Sequence, residues 1–222
     1  MPQKSFNIVG LVVALLLVMV IAAILIPAID ASRHRETRIV RSSQLRGIHQ
    51  GLVTHANSNQ TYFVGLNPDG TTNDTTVEYR FQTLIEEDYF TPEYVISPAE
   101  TEAMMAWEDQ EKPITKDNYS YAMLQIPETD SGRRDEWKQT INSQAIVVSD
   151  RNTGSIYRPR SVHYEPGDKF WSGSVLWNDN HVEFKESGSI FETKYGSGKA
   201  NLSDGLFLAE TPDDALLIHS GN

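Results

Sequence analysis

The stretch IVGLVVALLLVMVIAAILIPAI at residues 8–29 decides the reading of this chain, because twenty-two consecutive residues carry no charged side chain and are dominated by Val, Leu, Ile and Ala. At 1.5 Å of rise per residue a helix of that length covers roughly 33 Å, enough for a hydrocarbon core of about 30 Å, and it satisfies internally every backbone group that lipid cannot. The expectation is a membrane-spanning helix. A cleaved secretory signal fits less well, since its apolar region runs to about 15 residues and ends in small residues, whereas this run ends in Ile29-Asp30-Ala31.

Beyond the apolar run no proline interrupts residues 33–56, and Ile39, Leu45, Ile48 and Leu52 recur among charged and polar residues. Leu45, Ile48 and Leu52 stand at i, i+3 and i+7, one stripe of a helix that can lie on a folded domain. Pro27 lacks an amide donor and crowds the preceding turn, so a kink is expected there. The organisation read from these features is a short leader-like N-terminus at 1–5, a transmembrane helix at 6–29, an amphipathic stalk helix at 30–57 and a globular domain at 58–222.

The N-terminus carries a resemblance. Lys4-Ser5-Phe6-Asn7-Ile8-Val9 followed by an apolar helix resembles type IV prepilins and type II secretion pseudopilins, in which a basic leader precedes a phenylalanine and an apolar run. Counted from Phe6, Pro27 falls where that family carries its helix-kinking proline, and Gln44-Leu45-Arg46-Gly47-Ile48 is similar to the polar helix that follows its anchor. The resemblance makes Ser5 and Phe6 the processing positions, with Ser5 where the family has glycine. It makes Gly10 and Pro27 assembly positions, with Gly10 where the family usually has glutamate.

Charge is unevenly spread. Of 19 basic and 30 acidic side chains, residues 30–57 hold five arginines against Asp30 and Glu36, while residues 58–222 carry a net charge of −15. A body this acidic repels phosphate, so nucleic acid is excluded as a partner, and the short basic segment suits anionic lipid headgroups or a solvated helix face. The arginines alone would hold the domain in the cytoplasm. The resemblance implies the opposite: a single-pass protein of the bacterial inner membrane, with lipid and other pilin-like subunits as partners and the large C-terminal domain extracytoplasmic. The chain has no cysteine, which fits either side.

Within the domain, Asn57–Gln60 and Asn67–Asp74 read as loop. Residues 77–88 place Phe81, Leu84 and Ile85 at helical spacing, and 91–98 is irregular around two prolines. Residues 118–124 and 145–148 read as strands, 135–141 as a helical turn, and 205–208 as a last strand. Residues 173–177 and 181–185 flank Asn178-Asp179-Asn180 and read as a β-hairpin. The predicted class is α+β: a long N-terminal helix on a mostly antiparallel sheet, pilin-like by resemblance.

That hairpin carries a second resemblance. Val175-Leu176-Trp177-Asn178-Asp179-Asn180-His181-Val182-Glu183-Phe184 is similar to a C-terminal motif of prepilin-like families, a His followed by Asp-Gly-His-Val and an aromatic residue. The upstream partner here is His163, and Asn180 replaces the glycine.

Chemistry can be assembled from these residues in more than one way. Ser161, His163 and Asp150 offer a hydrolytic set, and His163, Asp179 and His181 a metal set. His181 and Glu183, two apart on a strand, can chelate with Asp150 or Asp168. At a hairpin tip Asp179 can instead accept local amides and hold the turn. Asn67, Asp69, Asn73 and Asp74 offer oxygens to calcium without the full alternation of an EF-hand loop. Trp107, Trp137, Trp171 and Trp177, with Tyr157, Tyr164 and Phe170, either line a groove or fill a core. No G-x-S-x-G, H-E-x-x-H, phosphate loop or dinucleotide fingerprint occurs. The reading is therefore a non-enzymatic structural subunit of a pilus or type II secretion-like filament, a main subunit or, since Gly10 offers no carboxylate, a minor one, without a cofactor. The alternative is an anchored binding domain that forms no filament, and after it an anchored hydrolase or metal enzyme.

Overall fold

The computed structural model describes residues 8–129, 131–162, 170–185, 193–196, 205–209, 211 and 214–221, with the side chains of residues 8, 9 and 27–35 left aside. The chain divides into two compact units, Met1–Ile39 and Val40–Asn222. Helix α1, Ile8–Ser58, belongs to both, and Pro27 lies inside it without ending it.

In the first unit most of the described apolar side chains are exposed. Leu11 is 46% exposed, Leu16 52% and Ile24 66%. Among the described residues no helix is long and apolar enough to cross a membrane. This corrects the sequence expectation of a single-pass inner-membrane protein.

In the second unit α1 changes character. Leu45, Ile48, Leu52 and Ala56 are completely buried, so the i, i+3, i+7 stripe extends by one more turn into the core. The same core holds Phe63, Phe81, Leu84 and Trp137. Helix α2, Val77–Glu86, begins at the cap Thr76, whose side chain accepts from the Tyr79 amide, and buries Val77, Phe81, Leu84 and Ile85.

The sheet has five antiparallel strands in the order β4-β3-β2-β1-β5. They are β1 Tyr121–Leu124, β2 Ile146–Asp150, β3 Gly173–Trp177, β4 Val182–Lys185 and β5 Leu217–Ile218. Every residue of β1, β2 and β3 is buried, which suits their runs of Val, Leu and aromatic residues, while β4 lies at an edge and is partly exposed. The α+β class and the antiparallel sheet match the sequence reading.

Two local expectations shift. The helical turn placed at 135–141 is instead α3, Gly132–Glu136, because Ser131 supplies the cap by accepting from the Arg134 amide. The strand placed at 205–208 is a turn, and the fifth strand comes later, where the Leu217 amide donates to the Leu206 carbonyl and Leu217 pairs with Leu124.

Candidate functional site

The second half of α1 meets the sheet through a buried polar seam. Arg41, one turn before Leu45 on the buried stripe, donates from Nη1 to Asp150 Oδ2 at 2.6 Å, and both side chains are 1% exposed. The Ser174 amide donates to the same oxygen at 2.7 Å. Beside them Tyr121 Oη donates to Gln44 Oε1 at 2.6 Å, and Gln44 Nε2 donates to the Ile96 carbonyl at 2.9 Å. Arg151 pairs with Glu100 at 2.6 Å. Burial pushes the Asp150 carboxyl above its ordinary range, opposed by the Arg41 guanidinium and the Ser174 amide. A buried pair of this kind costs desolvation and pays back in orientation, since removing one partner strands the other.

Asp150 therefore holds the helix to β2. It lies near Gly173, at the opposite end of β3 from the turn that carries Asp179 and His181. β3 is five residues long, so about 15 Å separates the two positions and no single cation can bridge them. Ser161 is 2% exposed, and its Oγ accepts from the Ser172 amide at 2.6 Å, which ties the hydroxyl to structure. His163 and Asp168, the remaining members of the hydrolytic and metal sets, lie outside the described residues, as do Ser5, Phe6 and Tyr164. Among the described residues no group of three His, Cys, Asp or Glu side chains is placed to hold a metal.

The hairpin forms as its sequence predicts. Leu176 pairs with Val182 and Gly173 with Lys185, and Asn180 adopts φ 68° at the turn. Asp179 Oδ1 accepts from the His181 amide at 3.2 Å and also bonds the His181 imidazole, the turn-holding role expected of it. The His181 ring stacks on Trp177 with centroids 4.4 Å apart, and Glu183 pairs with Lys185 on the exposed edge. Asn178 reaches inward, its Nδ2 donating to the carbonyls of Glu136 and Lys138.

The loop read as a weak calcium candidate closes on itself. Asp69 Oδ1 accepts from the amide and hydroxyl of Thr71, which lowers the Asp69 pKa, and Asp74 Oδ1 accepts likewise from Thr76. The aromatic set divides. Trp107, Trp137, Trp171 and Trp177 are at most 5% exposed and pack the core, while Tyr157 is 79% and Phe170 58% exposed.

Sequence reasoning passed over Arg41, Gln44 and Arg80. The signal for Arg41 was present, because a charged residue stood in register with the apolar stripe. Arg80 is fully buried, donates to the Leu124 and Thr76 carbonyls, and lies 4.9 Å above the Trp137 ring, and burial lowers its pKa to about 9. It too was legible, as the one cation on the inward face of α2.

No family model, curated protein or solved structure matches the chain.

Proposed function

We propose that this chain is a non-enzymatic, pilin- or pseudopilin-like structural subunit that assembles through the apolar half of α1. The observation that supports the reading is the uncovered surface of that half: Leu11, Val12, Leu15, Leu16, Met19 and Ile24 are each 46–66% exposed around the helix. Contiguous apolar surface of this extent marks an interaction site, and the same helix in neighbouring subunits is the occupant that the resemblance suggests. Gly10, exposed in the same half, removes a side chain where two backbones would approach. The seam at Arg41 and Asp150 then has a mechanical role, since force on the helix is passed to the sheet through a buried ion pair and a buried stripe.

The absence of cysteine makes the test direct. Full-length Leu16→Cys, treated with a short thiol-reactive cross-linker in the expressing cells, should give a covalent dimer, the limit set by one thiol per copy. Recovery of monomer alone would overturn the subunit reading.

A further inference from the structure

Away from the helix, two surfaces of the body have opposite chemistry. Residues 151–160 hold three arginines and no carboxylate, within a domain of net charge −15. Residues 99–112 hold five carboxylates and one base, Lys112, and one of the five, Glu100, pairs with Arg151 at 2.6 Å, which leaves Arg158 and Arg160 as the other arginines of the loop. The first is an exposed loop whose Ile156, Tyr157 and Pro159 also line a cavity with Trp171, Leu206 and Phe207. Asn152 Oδ1 accepts from the amides of Gly154 and Arg160, Asn152 Nδ2 donates to the Ser155 carbonyl, and the Arg158 amide donates to the Ser155 carbonyl. These bonds fix a tight turn that presents Ile156, 50% exposed, and Tyr157, 79% exposed, at its tip beside the exposed Arg158.

The second surface is a cleft of about 500 Å³ lined by Met105, Ala106, Trp107 and Pro113 and rimmed by Glu108, Asp109 and Lys112, of which Asp109 and Lys112 pair with each other at 2.6 Å. It too is built in advance. The Trp107 indole donates to the Lys112 carbonyl at 2.8 Å, the Met105 amide to the Asp117 carbonyl at 3.0 Å, and Asn118 Nδ2 to the Met105 carbonyl at 3.0 Å.

We propose that a second copy of this chain seats its Ile156-Tyr157-Arg158 tip in the acid-rimmed cleft beside Trp107. Tyrosine and arginine are the side chains that most often anchor protein interfaces, and here the tyrosine meets an apolar floor while the arginine meets a carboxylate rim. Both surfaces are fixed by their own hydrogen bonds, so docking orders little new chain. Opposite charge gives the pairing its selectivity, because elsewhere two copies of so acidic a body repel one another. The loop and the cleft are different surfaces, so the contact is heterologous and repeats from copy to copy unless its rotation closes a ring. It deepens the subunit reading above, on which it rests for its setting, but it uses none of the same residues.

The test pairs full-length Ile156→Cys with full-length Ala106→Cys, each copy supplying one thiol to a bifunctional reagent. The expected result is a loop-to-cleft cross-link between copies that weakens as salt screens the charges. Reversing the loop (Arg158→Glu with Arg160→Glu) or the cleft (Glu108→Lys with Glu111→Lys) in both copies should reduce the yield by about tenfold or more. Mixing reversed-loop copies with reversed-cleft copies should restore it, which also shows that the variants fold. No cross-link, a yield indifferent to charge reversal, or capture of an unrelated protein in place of a second copy would each overturn the proposal. Loss of this cross-link while Leu16→Cys still forms the covalent dimer refutes the loop contact alone, and the converse refutes the helix contact alone.

Discussion

The two halves of α1 share a backbone and almost nothing else. In residues 10–26 nearly every side chain is apolar and exposed, and no face of the helix differs from another. In residues 41–56 apolar side chains occupy one stripe, and Leu45, Ile48, Leu52 and Ala56 on that stripe are completely buried. Helix formation is indifferent to this contrast, because α1 runs through Pro27, Gly47 and Gly51 and both halves are otherwise rich in residues that tolerate the α conformation. Partner choice is not indifferent. A helix with a stripe fits one surface and can be folded onto its own chain, whereas a helix apolar all round offers equal purchase in every direction. The first arrangement builds a domain, and the second leaves a surface for something outside it.

The contrast is broken most severely by one pair of substitutions. Ile48→Ala removes a fully buried side chain and should cost about 2–5 kcal/mol of unfolding free energy, the range for large-to-small changes in a core. Leu16→Ala, at a position 52% exposed, should change the stability of the body by no more than about 0.5 kcal/mol. Denaturant titration of the two variants decides the matter. Equal losses would mean that the first half of α1 is also packed against the body.

What could be read from the sequence follows the same division. The stripe, α2 and the β3–β4 hairpin were legible because each is encoded in neighbouring residues: a helical period in the two helices, and Asn178-Asp179-Asn180 at the turn, where Asn180 takes positive φ. The seam was not legible, since Arg41 and Asp150 are 109 residues apart and no local pattern links them. Arg41 did stand on the buried stripe, which signals a buried cation without naming its partner. Strand β5 escaped because two residues cannot display an alternation, and its place is set by bonds to Leu206 and β1. The metal and hydrolytic sets looked possible because sequence shows residue types without burial. The structure places Asp150 inside the protein and at the other end of β3 from Asp179.

Acid sharpens the comparison further, because residues 8–29 contain no titratable side chain while the body buries His49 and half-buries His219. Burial lowers the pKa of His49, and Nε2 has no partner among the described residues. Burial likewise lowers His219 to about 4, against the favourable pull of the Tyr119 carbonyl, which lies 2.9 Å from Nε2. For a base depressed in the folded state, the unfolded chain takes up the proton first. The stabilising contribution is therefore complete above about 6.5 and is lost as pH falls toward 4. For His219 the loss is about 3 kcal/mol at most. Asp150 works in the opposite sense, since its raised carboxyl gains stability as pH falls, so His219→Gln is needed to isolate the term. Unfolding measured from pH 7 to pH 4.5 should show a smaller acid loss in that variant. An identical pH profile would remove His219 from the account.

The finest test lies in a single glycine of the docked half. By helix propensity, Gly47→Ala should stabilise α1 by about 1 kcal/mol. The packing predicts the reverse sign. A Cβ built on Gly47 would stand 2.7 Å from Tyr94 Cζ, nearer than carbon atoms pack. Tyr94 is held there by its hydroxyl, which donates to the Ser43 carbonyl at 3.0 Å, and by stacking on Phe90 with centroids 5.8 Å apart. Making room for the methyl group means swinging the ring away from both partners, a cost of about 1–3 kcal/mol for overpacking. The net expectation is a loss of about 1 kcal/mol. Tyr94→Ala empties the space, so in that background Gly47→Ala should return to a gain, and a double-mutant cycle reads the difference as the coupling between the two positions. A gain for Gly47→Ala in the otherwise unchanged chain would show that Tyr94 does not press against the helix, and the docked half would then owe its place to the Leu45 stripe and the Arg41 pair without help from its glycine.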